Sequence, residues 1–226
     1  KYIAIVESNL DPMAYSKAGA SGLWQFIKST GRMQGLKIDR YIDERRDPEK
    51  STKAALDYLS MLHSEFDDWT LAIAAYNCGP GNVRKAIRRG NSTNFWQIRK
   101  HLPNETQKYV PRIIAAMYLM QYYHAHDLIP HRVDEDLKYV EKINDGKHHN
   151  FYKLSQELGV SYKLIRSLNP QFGTNSIPKN NGSLTLVIPA SKYDKYLELY
   201  HPEEYEKMMK EREEMELWVQ ESKRLA

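Results

Sequence analysis

Residues 1–26, KYIAIVESNLDPMAYSKAGASGLWQF, contain two features that decide the fold of the N-terminal half. The apolar residues 2–6 keep a helical spacing and predict a short buried helix that ends at Glu7. The small residues 19–22 predict a turn in which the backbone can approach a ligand closely. A carboxylic acid at the apolar end of a buried helix loses solvation, so its pKa rises. Glu7 is therefore a candidate general acid, and a surface helix end is the alternative reading.

Residues 1–126 read as an all-α domain without a convincing strand. Asp47 followed by Pro48 is typical of a helix start, and the Gly-Pro-Gly turn after Cys78 ends a helix sharply. Six segments have a helical spacing of apolar residues: 1–8, a helix from about Leu23 to Leu36, 47–66, 68–77, 81–90 and 104–126.

The composition and the predicted secondary structure of the sequence change after residue 126. Residues 127–137 are polar and contain proline, which predicts a linker. Residues 138–191 predict a strand, two short helices and a closing strand, and hence a small separate β-α-α-β domain. Residues 192–226 predict a charged amphipathic helical tail. Its apolar stripe is expected to pack on a neighbouring element and consists of Tyr205, Met208, Met209, Met215 and Val219.

Composition and charge exclude several classes of protein. The chain of 226 residues has a net charge of +4, and its first 126 residues hold 18 Lys and Arg against 12 Asp and Glu, which favours an anionic polymer as partner. The densest basic patch, 84–89, is too small to indicate nucleic acid binding. Cys78 is the one cysteine, so no intrachain disulfide can form, and no apolar run of 18 residues is present.

Two short segments that follow the Glu7 stretch add groups that suit a glycan cleft. Gln25 can donate and accept hydrogen bonds, as an N-acetyl sugar requires, whereas its neighbour Trp24 is expected in the core. Tyr76 and Asn77 stand at the end of a predicted buried helix. Each segment alone predicts no more than a turn, but their order and spacing together indicate a functional site.

These segments carry a resemblance to a known family. The chain resembles the lysozyme-like domain of family 1 lytic transglycosylases over about residues 1–125, and is most similar to the membrane-bound lytic murein transglycosylase D group, which has C-terminal LysM modules. The resemblance implies a lysozyme-like all-α catalytic domain in a mainly α chain. It rests on four segments: Glu7-Ser8, GASGLWQF at 19–26, AAYNCGPGNV at 74–83 and LPNETQKYVP at 102–111.

The resemblance also implies a role for individual residues. Glu7 matches the single catalytic acid/base of the family. The matched substrate-binding residues are Ser8, Ser16, Gln25, Tyr76, Asn77 and Glu105. Trp24 replaces a methionine of many members, and Cys78 replaces a small residue and is expected to be buried and not nucleophilic.

A single carboxylate is sufficient if the substrate supplies its own nucleophile. Protonation of the glycosidic oxygen by Glu7 allows the 6-hydroxyl of muramic acid to attack C1 of the same sugar, and this intramolecular attack has a high effective concentration. The expected reaction cleaves the MurNAc-GlcNAc β-1,4 bond of peptidoglycan without water and leaves a 1,6-anhydroMurNAc end. No cofactor or metal is expected, since the adjacent His148 and His149 lack the spacing of metal ligands.

Residues 138–190 resemble a LysM module, although NDGKHHN at 144–150 stands where the usual GDT turn would be. Glycan binding by this module and its role as a brace for the catalytic domain are both left open. Peptidoglycan glycan strands are the expected partner, and nucleic acid is not. We expect a monomer in the periplasm or cell envelope. Because residue 1 already lies within a helical pattern, we also expect an upstream segment that could anchor the protein to the outer membrane.

Two other functions stay open from the sequence. A hydrolytic lysozyme-like or chitinase-like enzyme would need a second carboxylate opposite Glu7, for which Asp39, Asp43 and Glu65 are the candidates. A non-catalytic wall-binding protein would need no acid at all.

Overall fold

The computed structural model describes residues 1–225 and divides into two compact units. The first unit consists of residues 1–131 and 170–173, and the second consists of residues 132–169 and those from 174 onward. Helices dominate both units, and the strands are short and confined to the second unit. The prediction of a mainly α chain with a small β-α-α-β domain is confirmed.

The first unit is built from seven α-helices, with short 3₁₀ turns after the sixth and the seventh. The helices are α1 (Tyr2–Ser8), α2 (Lys28–Met33), α3 (Pro48–Phe66), α4 (Trp69–Cys78), α5 (Pro80–Gly90), α6 (Phe95–Ile98) and α7 (Asn104–Gln121). Helix α4 lies at the centre of the core, because four of its side chains are completely buried: Leu71, Ala72, Ala74 and Ala75. Small side chains let neighbouring helices approach α4 closely, and α3, α5 and α7 all pack against it.

Local capping determines where these helices begin. The Asp47 side chain accepts hydrogen bonds from the backbone N–H groups of Glu49 and Lys50, as the Asp-Pro pair predicts. Asp68 caps α4 in the same way through the N–H of Leu71. Pro111 lies inside α7, which continues to Gln121.

The helix predicted from about Leu23 begins instead at Lys28, so the prediction is wrong at its start. Gly22 and Gln25 have φ angles of 84° and 48°, which a right-handed helix cannot contain. Residues 14–26 form a compact turn structure in which Ser21 makes isolated β-bridges to Tyr15 and Phe26. The short helix α6 was not predicted, because four residues are too few to show a helical period.

The second unit has two small antiparallel strand pairs and five helices among its described residues. Its elements are α8 (Glu135–Lys138), β1 (Val140–Ile143), β2 (His149–Asn150), α9 (Phe151–Leu158), α10 (Tyr162–Leu168), β3 (Ser176–Ile177), β4 (Leu186–Pro189), α11 (Tyr193–Tyr200) and α12 (Pro202–Leu225). Strand β1 pairs with β4, with Ile143 opposite Leu186, and β2 pairs with β3. The β2–β3 pair was not predicted, since two-residue strands leave no alternating pattern.

The tail consists of two helices rather than one. Helix α12 packs against α11, and Tyr205, Met208 and Met209 are half-buried. Met215 is 61% exposed, so the predicted packing of the stripe is wrong at this position. Within residues 1–225, no helix combines the length and the apolar character needed to cross a membrane.

Candidate active site

The first unit contains a cavity of about 500 Å³ that six of the seven predicted site residues line. These residues come from the ends of several elements: α1, the 14–26 turn, α4 and α7. The predicted residues at the cavity are Glu7, Ser16, Gln25, Tyr76, Asn77 and Glu105. Their convergence from positions up to about a hundred residues apart produces a concave polar site with aromatic walls.

Glu7 occupies the last turn of α1, and one oxygen of its carboxylate accepts a hydrogen bond from Tyr109. The distance from the Tyr109 hydroxyl to Glu7 Oε1 is 2.5 Å. Burial raises the pKa of Glu7, the hydrogen bond from Tyr109 acts against that rise, and the negative charge of Glu105 adds to it. The raised pKa agrees with the prediction from the apolar helix, and it increases the protonated fraction of Glu7 near neutral pH.

Tyr109 is a residue of the site that sequence reasoning did not name. Its side chain is buried, and burial together with the Glu7 charge raises its pKa, so the hydroxyl stays protonated and can donate. The sequence contained a signal for it, because Glu105 and Tyr109 are four residues apart and therefore share one face of α7.

Tyr76 connects the cavity to the backbone of the 14–26 turn. Its hydroxyl donates to the carbonyl oxygen of Trp24 at 2.8 Å. Its ring lies 5.6 Å from the ring of Tyr58 and 5.9 Å from that of Phe26, in tilted arrangements. Burial raises the pKa of Tyr76 well above its ordinary value, so it is a neutral donor and not a base.

Asn77 is held in one orientation by α7. The hydroxyl of Thr106 donates to Asn77 Oδ1 at 2.7 Å, so the amide nitrogen is the remaining polar group of this side chain. The neighbouring Cys78 also lines the cavity, and burial raises the pKa of its thiol. A protonated thiol is a poor nucleophile, which agrees with the expectation that Cys78 is not reactive.

The 14–26 turn presents Ser16 and Gln25 to the cavity. Ser16 Oγ accepts a hydrogen bond from the N–H of Ala20 at 3.0 Å. Gln25 Nε2 donates to the carbonyl of Gly22 at 2.9 Å, which leaves Oε1 as the acceptor of this side chain. Trp24 is buried, and its Nε1–H donates to Thr52 Oγ1 at 2.9 Å, so its predicted place in the core is confirmed.

An ion pair between the buried Arg45 and Asp43 anchors the 14–26 turn. Arg45 is only 1% exposed, and its guanidinium donates to both carboxylate oxygens of Asp43 at 2.8 and 2.7 Å. Arg45 Nη1 also donates to the carbonyl oxygens of Gly19 and Phe26, at 2.7 and 2.9 Å. One guanidinium therefore holds both ends of the segment that forms the cavity wall.

Gly22 shows how closely the turn and the Arg45 backbone approach each other. A Cβ atom at position 22 would lie 1.7 Å from the carbonyl oxygen of Arg45, and the φ of 84° is itself strained for other residues. The glycine is therefore required for packing against residue 45, and sequence reasoning had attributed these small residues to ligand approach.

Ser8 does not line the cavity, although it was predicted to bind substrate. Its hydroxyl lies 2.8 Å from the carbonyl oxygen of Leu23 and 3.0 Å from that of Ala4. The hydroxyl donates into the backbone and ties the end of α1 to the 14–26 turn. This contact places Glu7, the preceding residue, beside the cavity wall.

The three sequence candidates for a second catalytic carboxylate all lie outside the cavity. Asp39 accepts from the N–H groups of its own loop, and Glu65 forms an ion pair with Arg84. Asp43 is paired with Arg45, and although its burial opposes the change, the Arg45 hydrogen bonds and charge lower its pKa. Glu105 is the one carboxylate besides Glu7 among the described residues that line the cavity.

Potential metal ligands do not converge in the part of the chain that the structure describes. No group of three or more His, Cys, Asp or Glu side chains in residues 1–225 is arranged to hold a metal ion. His149 is buried in the second unit and faces the carboxylate of Asp145.

Two known protein families match the chain, one in each of its two units. Residues 1–99 match the transglycosylase SLT domain. They form a transglycosylase SLT domain. Residues 139–202 match the LysM-like domain of the lytic transglycosylase MltD, so the resemblances predicted for both halves of the chain are confirmed. The LysM-like match extends through α11, which belongs to this domain.

Two similar proteins are both named membrane-bound lytic murein transglycosylases. The chain is 39% identical over 172 residues to the membrane-bound lytic murein transglycosylase D of Escherichia coli K12, a match that covers 74% of this chain and 37% of the relative. It is 30% identical over 175 residues to the membrane-bound lytic murein transglycosylase F of Histophilus somni, with 71% of this chain and 33% of the relative covered. The chain thus spans about a third of the length of these relatives.

A solved structure is also similar to the chain. The crystal structure of the 70 kDa soluble lytic transglycosylase of Escherichia coli matches with 28% sequence identity and a TM-score of 0.46. The match covers 54% of this chain and 21% of that one.

Proposed function

We propose that the chain is a lytic transglycosylase of peptidoglycan. It cleaves the β-1,4 bond between MurNAc and GlcNAc without water and produces 1,6-anhydroMurNAc ends. The observation that carries the proposal is a carboxyl group of raised pKa, Glu7, in a cavity whose walls come from an SLT domain. The names of the relatives support the same reaction.

In the first step Glu7 acts as a general acid. Its proton passes to the glycosidic oxygen, the bond between C1 of MurNAc and this oxygen breaks, and the GlcNAc side leaves as an alcohol. Positive charge develops at C1, and the N-acetyl group of the same MurNAc stabilises it. Because burial raises the pKa of Glu7, a larger fraction of the enzyme holds the required proton.

In the second step Glu7 acts as a general base. The MurNAc 6-hydroxyl attacks C1 and loses its proton to the Glu7 carboxylate, which restores the starting acid. The nucleophile belongs to the substrate, so the reaction requires neither an activated water nor a second carboxylate. The hydrogen bond from Tyr109 stabilises the ionised form of Glu7 that exists between the two steps.

The other cavity residues bind the glycan in this proposal. The Asn77 amide nitrogen and the Gln25 Oε1 offer a donor and an acceptor for N-acetyl groups, and Ser16 lies on the same wall. Tyr58 and Phe26 are buried in the core and contribute apolar atoms to the cavity lining. Ser8 acts indirectly, by anchoring the end of α1.

A second candidate function follows from Glu105. This residue lines the cavity and could activate a water, which would make the enzyme a hydrolytic muramidase. Mass spectrometry of digested sacculi separates the two reactions, because hydrolysis leaves reducing MurNAc ends that are one water heavier than anhydro ends. Reducing ends as the main product would refute the transglycosylase proposal.

A non-catalytic wall-binding protein is the third reading, and Glu7→Gln tests it. If the native protein releases no more soluble fragments from sacculi than this variant does, the chain is not an enzyme. Peptidoglycan strands are the proposed partner, with a monomer acting in the periplasm or cell envelope and an outer-membrane anchor in a longer chain. Pull-down of the isolated chain with sacculi, size-exclusion chromatography and fractionation of the full-length protein test these three statements.

A further inference from the structure

Cationic residues are concentrated on one part of the first unit. Residues 69–126 hold eight Lys and Arg against one Asp or Glu, whereas residues 1–68 hold ten against eleven. The one acidic residue of the cationic region is Glu105, which lines the cavity. The excess of positive charge is therefore concentrated in residues 69–126, the stretch that also contributes Tyr76, Asn77 and Glu105 to the cavity.

Helix α5 carries the densest part of this charge. Its buried face consists of Val83 and Ala86, with Ile87 partly buried against the core. Its outward side chains form the α5 cationic face, which is composed of Arg84, Lys85, Arg88 and Arg89. All four are exposed, and their i, i+4 spacing places Arg84 beside Arg88 and Lys85 beside Arg89.

The fold itself gains little from this arrangement. Like charges at i, i+4 repel each other, and Arg84 alone of the four has an ion-pair partner among residues 1–225, namely Glu65. The helix dipole favours cations in the last turn, but Arg84 and Lys85 lie earlier in the helix. Lys108 and Arg112 add exposed charge on α7.

The helix that carries the α5 cationic face begins at the edge of the cavity. Gly79, which lines the cavity, directly precedes α5, and Glu105 lines it from the start of α7. The two helices are joined through the short segment between them, because Arg99 Nε donates to the carbonyl oxygen of Gln107 at 2.7 Å. At a rise of about 1.5 Å per residue, the face lies between about 7.5 Å (Arg84) and about 15 Å (Arg89) from Gly79 along α5.

We propose that the α5 cationic face binds the carboxylates of the peptide stems of peptidoglycan. A stem of about four or five extended residues, attached to a MurNAc in the cavity, reaches about 15 Å, which is the distance along α5 from Gly79 at the cavity to Arg89 at the far end of the face. Its free carboxylates complement four cations of which three have no acidic partner in residues 1–225. The proposal rests on the proposed function for its substrate, and it makes peptide-bearing strands the preferred substrate class.

Binding in the inactive Glu7→Gln background tests the proposal separately from catalysis. The test variant is Arg88→Glu/Arg89→Glu, and the matched control is Lys207→Glu/Lys210→Glu on α12, which makes the same change in charge. The probes are intact sacculi, glycan strands stripped of peptides by an amidase, and chitin, which is an uncharged N-acetylated glycan. Circular dichroism melting shows whether both variants are folded.

We expect the α5 variant to bind intact sacculi at least about fivefold more weakly, while the α12 control binds like the parent. Binding of the parent weakens between about 0.05 and 0.5 M NaCl, since salt screens exposed charges, and the α5 variant loses most of this dependence. Binding to stripped glycan and to chitin stays the same in all three proteins.

Three results would overturn the proposal. The first is unchanged affinity of the folded α5 variant for intact sacculi. The second is an equal loss on stripped glycan or chitin, which would show that the face binds sugars or the lactyl carboxylate instead. The third is binding of the parent to vesicles containing phosphatidylglycerol but not to sacculi, which would assign the face to a membrane surface. Failure of the native protein, with Glu7 intact, to form anhydro ends would refute the proposed function and leave this binding test intact.

Discussion

Each unit contains a carboxylate that is withdrawn from solvent and accepts a hydrogen bond from a tyrosine hydroxyl at 2.5 Å. Tyr109 donates to Glu7 in the first unit, and Tyr196 donates to Asp145 in the second. Burial raises the pKa of Glu7, whereas the pKa of Asp145 is held well below its ordinary value in spite of burial. The two carboxylates thus make the same contact with a tyrosine, but the pKa of Glu7 is raised and that of Asp145 is lowered.

The difference comes from the remaining neighbours of each carboxylate. Asp145 also accepts a hydrogen bond from the N–H of Lys147 at 3.0 Å, and the ring nitrogens of His149 and His201 lie 3.1 and 3.3 Å from its oxygens. Glu7 has the Tyr109 hydroxyl as its one donor among the described residues, and a second carboxylate, Glu105, lies nearby. Several donors stabilise an ionised acid, while one donor and a like charge leave it ready to take up a proton.

Asp145 therefore stabilises the structure, and its contacts join distant parts of the LysM-like unit. Tyr196 belongs to α11, and His201 lies between α11 and α12. His149 is buried, and within the described residues its Nδ1 has no hydrogen-bond partner, so its orientation depends on the contact between Nε2 and Asp145. The comparison predicts that changes at Glu7 reduce catalysis and that changes at Asp145 reduce stability.

Substitution of Glu7 should have the largest effect. Glu7→Gln removes the proton donor but keeps the shape of the side chain, so we expect the rate of release of anhydromuropeptides to fall by about 10²–10⁴-fold. The thermal midpoint should stay equal or rise, because a buried group with a raised pKa destabilises the fold when it is ionised. A large fall in the midpoint would contradict the distinction between Glu7 and Asp145.

Substitution of Arg45 tests whether Asp43, the carboxylate paired with it in the first unit, has a purely structural role. Arg45→Met leaves the half-buried Asp43 without its partner and releases two carbonyls of the 14–26 turn, so the free energy of unfolding should fall by about 3–5 kcal/mol. Urea denaturation measures the change. A fully stable variant would show that the ion pair does not hold the cavity wall.

Substitution of Asp145 should lower stability by a smaller amount. Asp145→Asn leaves several donors without a charged acceptor, and we expect a loss of about 2–3 kcal/mol in the unfolding free energy at pH 7. Asp194→Asn, on the exposed surface of α11, is the matched control and should have a much smaller effect. Activity on soluble glycan strands should not change.

The pH dependence of stability provides a second measure at Asp145. The folded-state pKa is lowered, so the stabilisation is complete above the unfolded value of about 4 and is lost as the pH falls below it. Melting curves from pH 6 downward should therefore show a steeper loss for the wild type than for Asp145→Asn. Parallel curves would refute the structural role.

The smallest effects are opposite shifts of the pH–rate profile. Tyr109→Phe removes the hydrogen bond that lowers the pKa of Glu7, so the loss of activity at high pH should move to higher pH. Glu105→Gln removes a negative charge that raises this pKa, so the same limb should move to lower pH. The shifts are expected to be about one pH unit or less, and profiles of kcat/KM measure them. Shifts in the same direction would contradict the proposed control of the Glu7 pKa.

Local sequence patterns predicted much of the fold and most of the candidate site. The Asp47-Pro48 start, the period of α3 and the Gly-Pro-Gly turn after Cys78 act within a few residues, so they can be read directly from the sequence. The resemblance to the lytic transglycosylase family, which the short motifs carry, implied six residues that line the cavity. The start of α2 was wrong, since left-handed backbone at Gln25 is not apparent from its residue type.

What the sequence alone determined is most of the longer helices of the first unit, the LysM-like pattern, and Glu7 as an acid at the end of an apolar helix. Tertiary structure decided the neighbours of each side chain, and these neighbours lie far apart in sequence. Tyr109 is 102 residues from Glu7, Arg45 is 26 from Gly19, and Tyr196 is 51 from Asp145. Hydrophobic periodicity reports burial along one element, whereas the pKa of a carboxylate depends on the donors and charges that other elements bring to it. For this reason the sequence could indicate Glu7, but it could neither place Ser8 behind the cavity wall nor distinguish the two tyrosine-bound carboxylates.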